Sequence, residues 1–255
     1  MHMLRLSVLL WVVSASVAHA AIDLDRPGHL TTGFTEKLIE TAAIATSHRA
    51  YMPATPLPTF IGIDVGIEGT LTPLPRDFRN AAAEVSSDAK IPPFFPLPRI
   101  NAHKGLPFGT EAGISYIRFS EFRALGLDLK WAALGAPDRE RGFENLFPSL
   151  AFRGSYTNTR MWFINTTHWA LDAVLSIPLL IVEPYAAVGY EFGTGELLVP
   201  NLNLLPPGVQ THHNFGVGRV YLGLPFDFLL LKTTFEGGYS FAGIYHFGVK
   251  VALGF

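Results

Sequence analysis

Cysteine is absent from the 255-residue chain, which excludes disulfide staples and cysteine-based zinc sites. Charge is scarce: Asp, Glu, Lys and Arg make up 16% of the residues, against roughly 25% in ordinary soluble domains. Part of the surface is therefore expected to face something other than water. The formal net charge of −2 offers no electrostatic reason to expect nucleic acid. Beyond the first twenty residues no window supplies the roughly 18 apolar residues that a membrane helix needs, yet mean hydropathy is positive. A greasy chain without a spanning helix leaves the closed β-barrel, the other structure that satisfies its own backbone in lipid.

What is present begins with MHMLR, a short basic segment, then the apolar LSVLLWVVSASVA and the small-x-small AHA ending at Ala20. Length and order are those of a secretory signal peptide. Residues 1–20 are expected to be removed, leaving an exported chain from about Ala21. Residues 21–58 differ from the rest. FTEKLIETAAIATSHRA has helical spacing, with Leu38, Ile39, Ala42 and Ala45 on one side and Thr35 placed as N-cap. The prolines of MPATPLP then prevent regular structure. The expectation is a short helix and an extended connector, lying in the periplasm or plugging a lumen, followed by a barrel over 59–255.

Strands alternate side chains between two faces, and the rest of the chain reads that way. FIGIDVGIEGTL sets Ile61, Ile63, Val65 and Ile67 against Gly62, Asp64, Gly66 and Glu68. Residues 72–97, with a possible helical turn around DFRNAAAEV and the proline-rich IPPFFPLP, read as a long loop. RINAHKGL is a weak strand and GTEAGISYIRF a clearer one. FRALGLDLKWAAL, LAFRGSY, HWALDAVLSI, VEPYAAVGYEFG, FGVGRVYLGL, LLKTTFEGGYSF and YHFGVKVALGF complete the set. The count is about ten, with eight to twelve open, and an even number brings both chain ends to one side of the barrel. The fold class expected is an all-β, transmembrane, antiparallel up-and-down β-barrel with a short N-terminal helix.

Alternation alone also fits a soluble barrel. Three features favour lipid. The non-greasy face is mostly Gly, Ala and Ser with one or two charges per strand. Aromatics of the greasy face, among them Tyr116, Trp131, Trp169, Tyr190, Tyr239, Tyr245 and Phe255, concentrate toward strand ends, as in an interfacial girdle. Connection lengths alternate imperfectly: IPLL and LPFDF are short, TGELLVPNLNLLPPGVQTHH and 72–97 are long, while GAPDRERGFEN is a longish turn on the short side.

The last strand is apolar on alternate residues through Tyr245, Phe247, Val249, Val251, Leu253 and Phe255. Over residues 243–255 it resembles the recognition signal of bacterial outer-membrane proteins, and with the leader it implies outer-membrane lipid and the assembly machinery as partners. GFTEKLIETAAIATSHRAYMP and LPRINAHKGLPFG resemble an uncharacterised group of proteobacterial outer-membrane barrel proteins, a resemblance that implies no activity.

Projecting the polar parity inward collects Asp64, Glu68, Glu111, Asp128, Lys130, Arg153, Asp172, Glu191, Arg219, Lys232, Glu236, His246 and Lys250. Buried charges must be paired and hydrogen-bonded. They read as a salt-bridge ladder filling a narrow lumen, or else as the lining of a polar path. In the last hairpin Thr234 should face Lys250, with Glu236 diagonal to it. For hydrolysis the candidates are His168 beside Thr166 and Thr167, and His212 and His213 in a loop. No serine pairs with a histidine at a telling position in the sequence, and HxH and HExxH metal spacings are absent. No catalytic residue, cofactor or metal is therefore assigned. The function expected is a structural protein or narrow channel. The alternative is a hydrophobic-solute transporter, with the N-terminal helix as hatch and the apolar loop LLVPNLNLLPPGV collecting the ligand, although Leu202, Leu204 and Val209 of that loop read equally as packing on each other.

Overall fold

Ten antiparallel strands form where the alternation predicts them, and each pairs with its neighbours in sequence. The structure, a computed structural model, describes residues 31–76, 78–80, 92–120, 122–135, 147–161, 164–198, 206 and 208–255. The expected signal peptide, Leu202 and Leu204, most of the turn GAPDRERGFEN and most of the helical turn near residue 80 lie outside these residues. The strands are β1 (Ile63–Pro73), β2 (Phe94–Leu106), β3 (Thr110–Phe119), β4 (Phe122–Leu134) and β5 (Ser149–Met161), followed by β6 (Ile164–Ser176), β7 (Tyr185–Leu197), β8 (His212–Phe228), β9 (Leu231–Ser240) and β10 (Ile244–Gly254). One helix, α1 (Thr32–Ala45), precedes them.

The ring closes. β1 pairs with β10 from Asp64↔Gly254 to Leu71↔Phe247, and the backbones of Ile63 and Phe255 exchange hydrogen bonds of 3.0 and 2.8 Å. Closure removes both sheet edges, which would otherwise template pairing with other chains. All strand ladders are antiparallel and the order is up-and-down throughout. Burial alternates along each strand, so one parity faces the interior and the other faces out.

Two ends can be distinguished. The turn end holds the start of β1, the end of β10 and the connections 107–109, 135–148, 177–184 and 229–230. The loop end holds the connections 74–93 and 198–211 together with the tight links after β3, β5 and β9.

The structure corrects the reading in several places. Phe94–Pro98 is strand, not loop. Odd-numbered residues of β2 point their backbone toward β1, as Gly105 does in donating to the carbonyl of Gly62 at 2.9 Å. Pro96 and Pro98 therefore present their missing N–H toward β3. The β2–β3 ladder stops at Ile100↔Tyr116, whereas β2 continues along β1 to Pro73↔Phe94. The prolines are tolerated because they lie on the one stretch of β2 that lacks a second partner.

In α1 the N-cap is Thr31, whose hydroxyl accepts from Phe34 N at 3.2 Å. Thr35 sits in the first turn and donates back to Thr31 O at 3.2 Å. SHRA leaves the helix, which ends at Ala45. Val182 forms only an isolated bridge to Phe226, because Pro184 separates it from β7.

Closure is testable in a chain that has no cysteine of its own. Ile67 and Val251 are register partners on the outward face, within disulfide reach. The double variant I67C/V251C should crosslink on oxidation and change gel mobility, while I67C/F235C should not. Equal behaviour of the two would refute a β1–β10 seam.

Candidate functional site

The inward parity brings the charged residues into a space already occupied by the chain itself. α1 lies at the loop end, with Thr32 Oγ1 donating to Gly208 O (3.4 Å) and Glu36 3.8 Å from His213. From Thr46 the chain runs as an extended strap through the ring to Pro58 at the turn end, then enters β1. The helix and connector are thus lumenal.

The barrel side chains hold this strap mainly by its backbone. Arg99 donates to the carbonyls of Thr46 and Ser47, the latter at 3.0 Å. Arg153 donates to Met52 O at 2.9 Å, and Lys130 to Pro53 O and Thr55 O at 2.9 and 3.2 Å. The strap's own N–H groups go to acceptors on the wall: His48 to Thr157 Oγ1 (2.9 Å), Ala54 to Ser176 Oγ (3.2 Å), Thr55 to Glu183 (3.4 Å) and Leu57 to Glu111 (3.2 Å). A buried backbone group without a partner costs about 1–3 kcal/mol, so cations for carbonyls and acceptors for amides are what a strap without secondary structure requires.

Beyond the strap the charges pair among themselves. Arg219 makes a bidentate pair with Asp172 (2.8 and 2.6 Å), also donates to Glu191, and reaches Ser47 Oγ at 3.2 Å. Lys130 lies 3.0 Å from Glu111. Glu68 accepts from Asn101 at 2.9 Å with Arg99 at 3.8 Å. Glu236 accepts from the Tyr185 hydroxyl at 2.6 Å and lies 3.3 Å from His246. Thr234 does face Lys250, but Lys250 reaches Asp64 at 2.6 Å rather than Glu236. The hairpin alone suggested the diagonal, whereas closure against β1 supplies a nearer carboxylate.

Asp64, Glu68, Glu111, Asp128, Lys130, Arg153, Asp172, Glu191, Arg219, Glu236, His246 and Lys250 are all buried inside the ring. Lys232 is half-buried and lines a recess of about 330 Å³ at the turn end with Asp64, Lys250, Thr234, Met52 and Pro53. Arg99, His103 and Glu183 join the same interior. Inward parity does not collect them, because Arg99 and His103 lie in the weakly patterned RINAHKGL and Glu183 precedes a proline.

His48 Nε2 lies 2.6 Å from Asp128 Oδ1, and Nδ1 lies 2.7 Å from Ser115 Oγ. This is the Ser–His–acid order of a hydrolase, and the sequence separation of its members hid it. The side chains of His48 and Asp128 have no exposure, so the arrangement is a tether for the strap and gives no substrate access. His168, expected near a rim, is buried inside against Phe215, with ring centroids 6.1 Å apart. Among the described residues no group of three or more His, Asp or Glu is arranged to hold a metal.

The outward face is apolar. Tyr116, Trp131, Trp169, Tyr190, Tyr245 and Phe255 are exposed there, and Tyr239 is half-buried between Phe241 and Tyr245. Trp169 and Tyr190 fall near the centres of β6 and β7, not at their ends, so the aromatics are more scattered than a strict girdle.

These features define an all-antiparallel, closed, ten-strand up-and-down barrel with an occupied lumen. Comparison with protein-family models and with curated proteins returns no match.

Two substitutions test the packing. Gly248 lies beneath Tyr51, whose hydroxyl contacts Thr70 Oγ1 at 2.5 Å, and a Cβ at Gly248 would meet the Tyr51 ring at 2.6 Å. Gly→Ala in a strand normally stabilises; here G248A should cost about 1–3 kcal/mol in urea unfolding, and Y51A should remove the penalty. Arg219→Met leaves Asp172 and Glu191 buried without their cation and should cost about 3–5 kcal/mol by the same measurement.

Proposed function

We propose that this chain is an outer-membrane β-barrel protein whose lumen is closed at rest by its own segment 46–58. The observation that carries the reading is an inverted distribution of polarity. Charged groups face a filled interior, while Val65, Ile67, Ile114, Leu127, Leu129, Leu171, Val188, Leu222, Phe235, Phe247 and Val251, spread over eight of the ten strands, face out and are exposed. Soluble monomers rarely expose contiguous apolar patches beyond a few hundred Å², and a closed ring is one of the two backbones lipid permits. The leader-like start and the apolar last strand ending in Phe255 support export and assembly in the outer membrane. Bilayer lipid is then the partner of the outer wall, and the assembly machinery that of β10.

Within that reading the protein is structural or a gated path, not an open pore. The strap crosses the lumen and is held there by Arg99, Lys130 and Arg153. A hydrophobic-solute transporter is the second reading, favoured by one feature. At the loop end the lining turns apolar, with Leu38 and Ala42 of α1 packed on Leu97, Phe122, Met161, Ile164 and Leu197, beside the stretch of β2 where the ladder to β3 is interrupted.

Thr55 Oγ1 and Ser149 Oγ lie 3.0 Å apart, so T55C/S149C would lock the strap to the wall. In vesicles the wild type should insert, migrate differently on gels before and after boiling, and show no steady conductance. Any transient openings should vanish on oxidation of the locked variant and return on reduction. A folded chain lacking residues 32–58 should conduct ions. If that deletion inserts and conducts no better than wild type, the strap is not the plug; if the wild type stays soluble without detergent, the membrane reading itself falls.

A further inference from the structure

Three arginines stand side by side on the outer wall at the loop end. Arg118 of β3 is the register partner of Arg123 of β4, and Arg123 is the partner of Arg160 of β5. Each is exposed and on the outward parity of its strand. Each lies one residue from the end of its strand. Adjacent strands are about 4.8 Å apart, so three guanidinium stems start within about 10 Å of one another.

Like charges placed directly opposite destabilise a sheet. Among the described residues none of the three has an ion-pair partner. Among the described residues the nearest outward acid along the same rim, Glu196 of β7, is engaged by Asn165 at 3.0 Å, two strands beyond Arg160. Glu121, between Arg118 and Arg123 in the sequence, brings at most one negative charge against three positive. Toward the middle of the barrel the same three strands turn apolar on this face, through Tyr116, Ile114, Leu125, Leu127, Leu129 and Tyr156. A row of cations above an apolar strip matches a molecule with an anionic head and hydrocarbon chains. Arg binds phosphate with paired N–H groups.

We propose that Arg118, Arg123 and Arg160 form a binding site for the phosphate group of a phosphorylated lipid in the leaflet at the loop end, its chains lying along β3–β5. The site rests on the membrane reading above. It also accounts for an arrangement that is unfavourable for the isolated protein.

The test uses the full chain in detergent micelles, titrated with a bis-phosphorylated glycolipid, with the same glycolipid lacking phosphate, and with inorganic phosphate. Wild type should bind the phosphorylated lipid about tenfold or more tightly than its phosphate-free counterpart, with affinity falling as salt rises. R118Q/R123Q/R160Q should lose that preference while R118K/R123K/R160K keeps part of it. Without lipid the glutamine variant should be at least as stable as wild type to urea, because repulsion is relieved; a purely structural role predicts the opposite. Equal lipid preference in wild type and the glutamine variant would overturn the site, as would inorganic phosphate binding as tightly as the lipid. Gel mobility before and after boiling in vesicles, read on both proteins, reports the membrane reading separately: a variant that inserts but has lost the preference supports both, and a wild type that does not insert overturns the reading beneath.

Discussion

A ring of ten strands encloses a space from which bulk water is largely excluded, and every polar group pointing into it must find a partner there. The rest of the molecule follows from that constraint. Buried ions are tolerated when their attraction and their remaining hydrogen bonds offset desolvation, and the inward face carries many of them. Side chains from opposite walls of such a ring do not reach one another everywhere. The strap between Thr46 and Pro58 fills the gap. Its carbonyls occupy donors on Arg99 and Arg153 and share the Lys130 ammonium with Glu111, and its amides occupy Glu111 and Glu183. Strap and wall are two halves of one hydrogen-bonded interior, and neither half is satisfied alone.

The close fit leaves marks in the wall. Gly126 and Gly248 are bare because His48 and Tyr51 lie against them. Tyr51 adopts φ 52°, a region that a non-glycine residue holds only when its surroundings over-determine it. Here those surroundings are the Thr70 hydroxyl and the missing side chain of Gly248. Glycines that read as the small-residue face of a narrow barrel thus have, at these two positions, a specific occupant.

The strands were legible because period two is a local signal: a stretch such as Phe247–Phe255 carries its own inside and outside whatever it pairs with. Period two also sorts Asp128 and Lys130 from Leu127 and Leu129 without knowledge of any neighbour. Contacts between residues far apart in sequence left no such trace. The Asp64–Lys250 pair depends on a seam between the first strand and the last. The His48–Asp128–Ser115 chain joins an irregular segment to two strands. Prolines hid the start of β2, since the rule that proline breaks a ladder does not say that the partner strand is already absent at that point. The sequence points to Thr35 as N-cap, whereas the helix begins behind Thr31; both carry the hydroxyl a cap needs, and backbone geometry alone separates them.

The position of the helix was likewise open from sequence, and length settles it once the strap is known to be extended. A strand of 13 residues rising about 3.3 Å per residue and tilted by about 40° makes a wall roughly 33 Å tall. Residues 46–58 can span at most about 43–47 Å when extended, and less with a left-handed turn at Tyr51 and three prolines. The strap therefore crosses the lumen once, with little slack. Because Pro58 must hand the chain to β1 at the turn end, where Gly62 N bonds Pro58 O at 3.0 Å, the other end of the strap can only emerge at the loop end. There α1 meets an apolar part of the lining, around Leu97, Phe122 and Leu197. A helix that is itself apolar toward Leu38 and Ala42 is stable in that mouth and would be unsatisfied among the ion pairs below. The gradient of polarity along the lumen and the length of the strap thus select the same place for it.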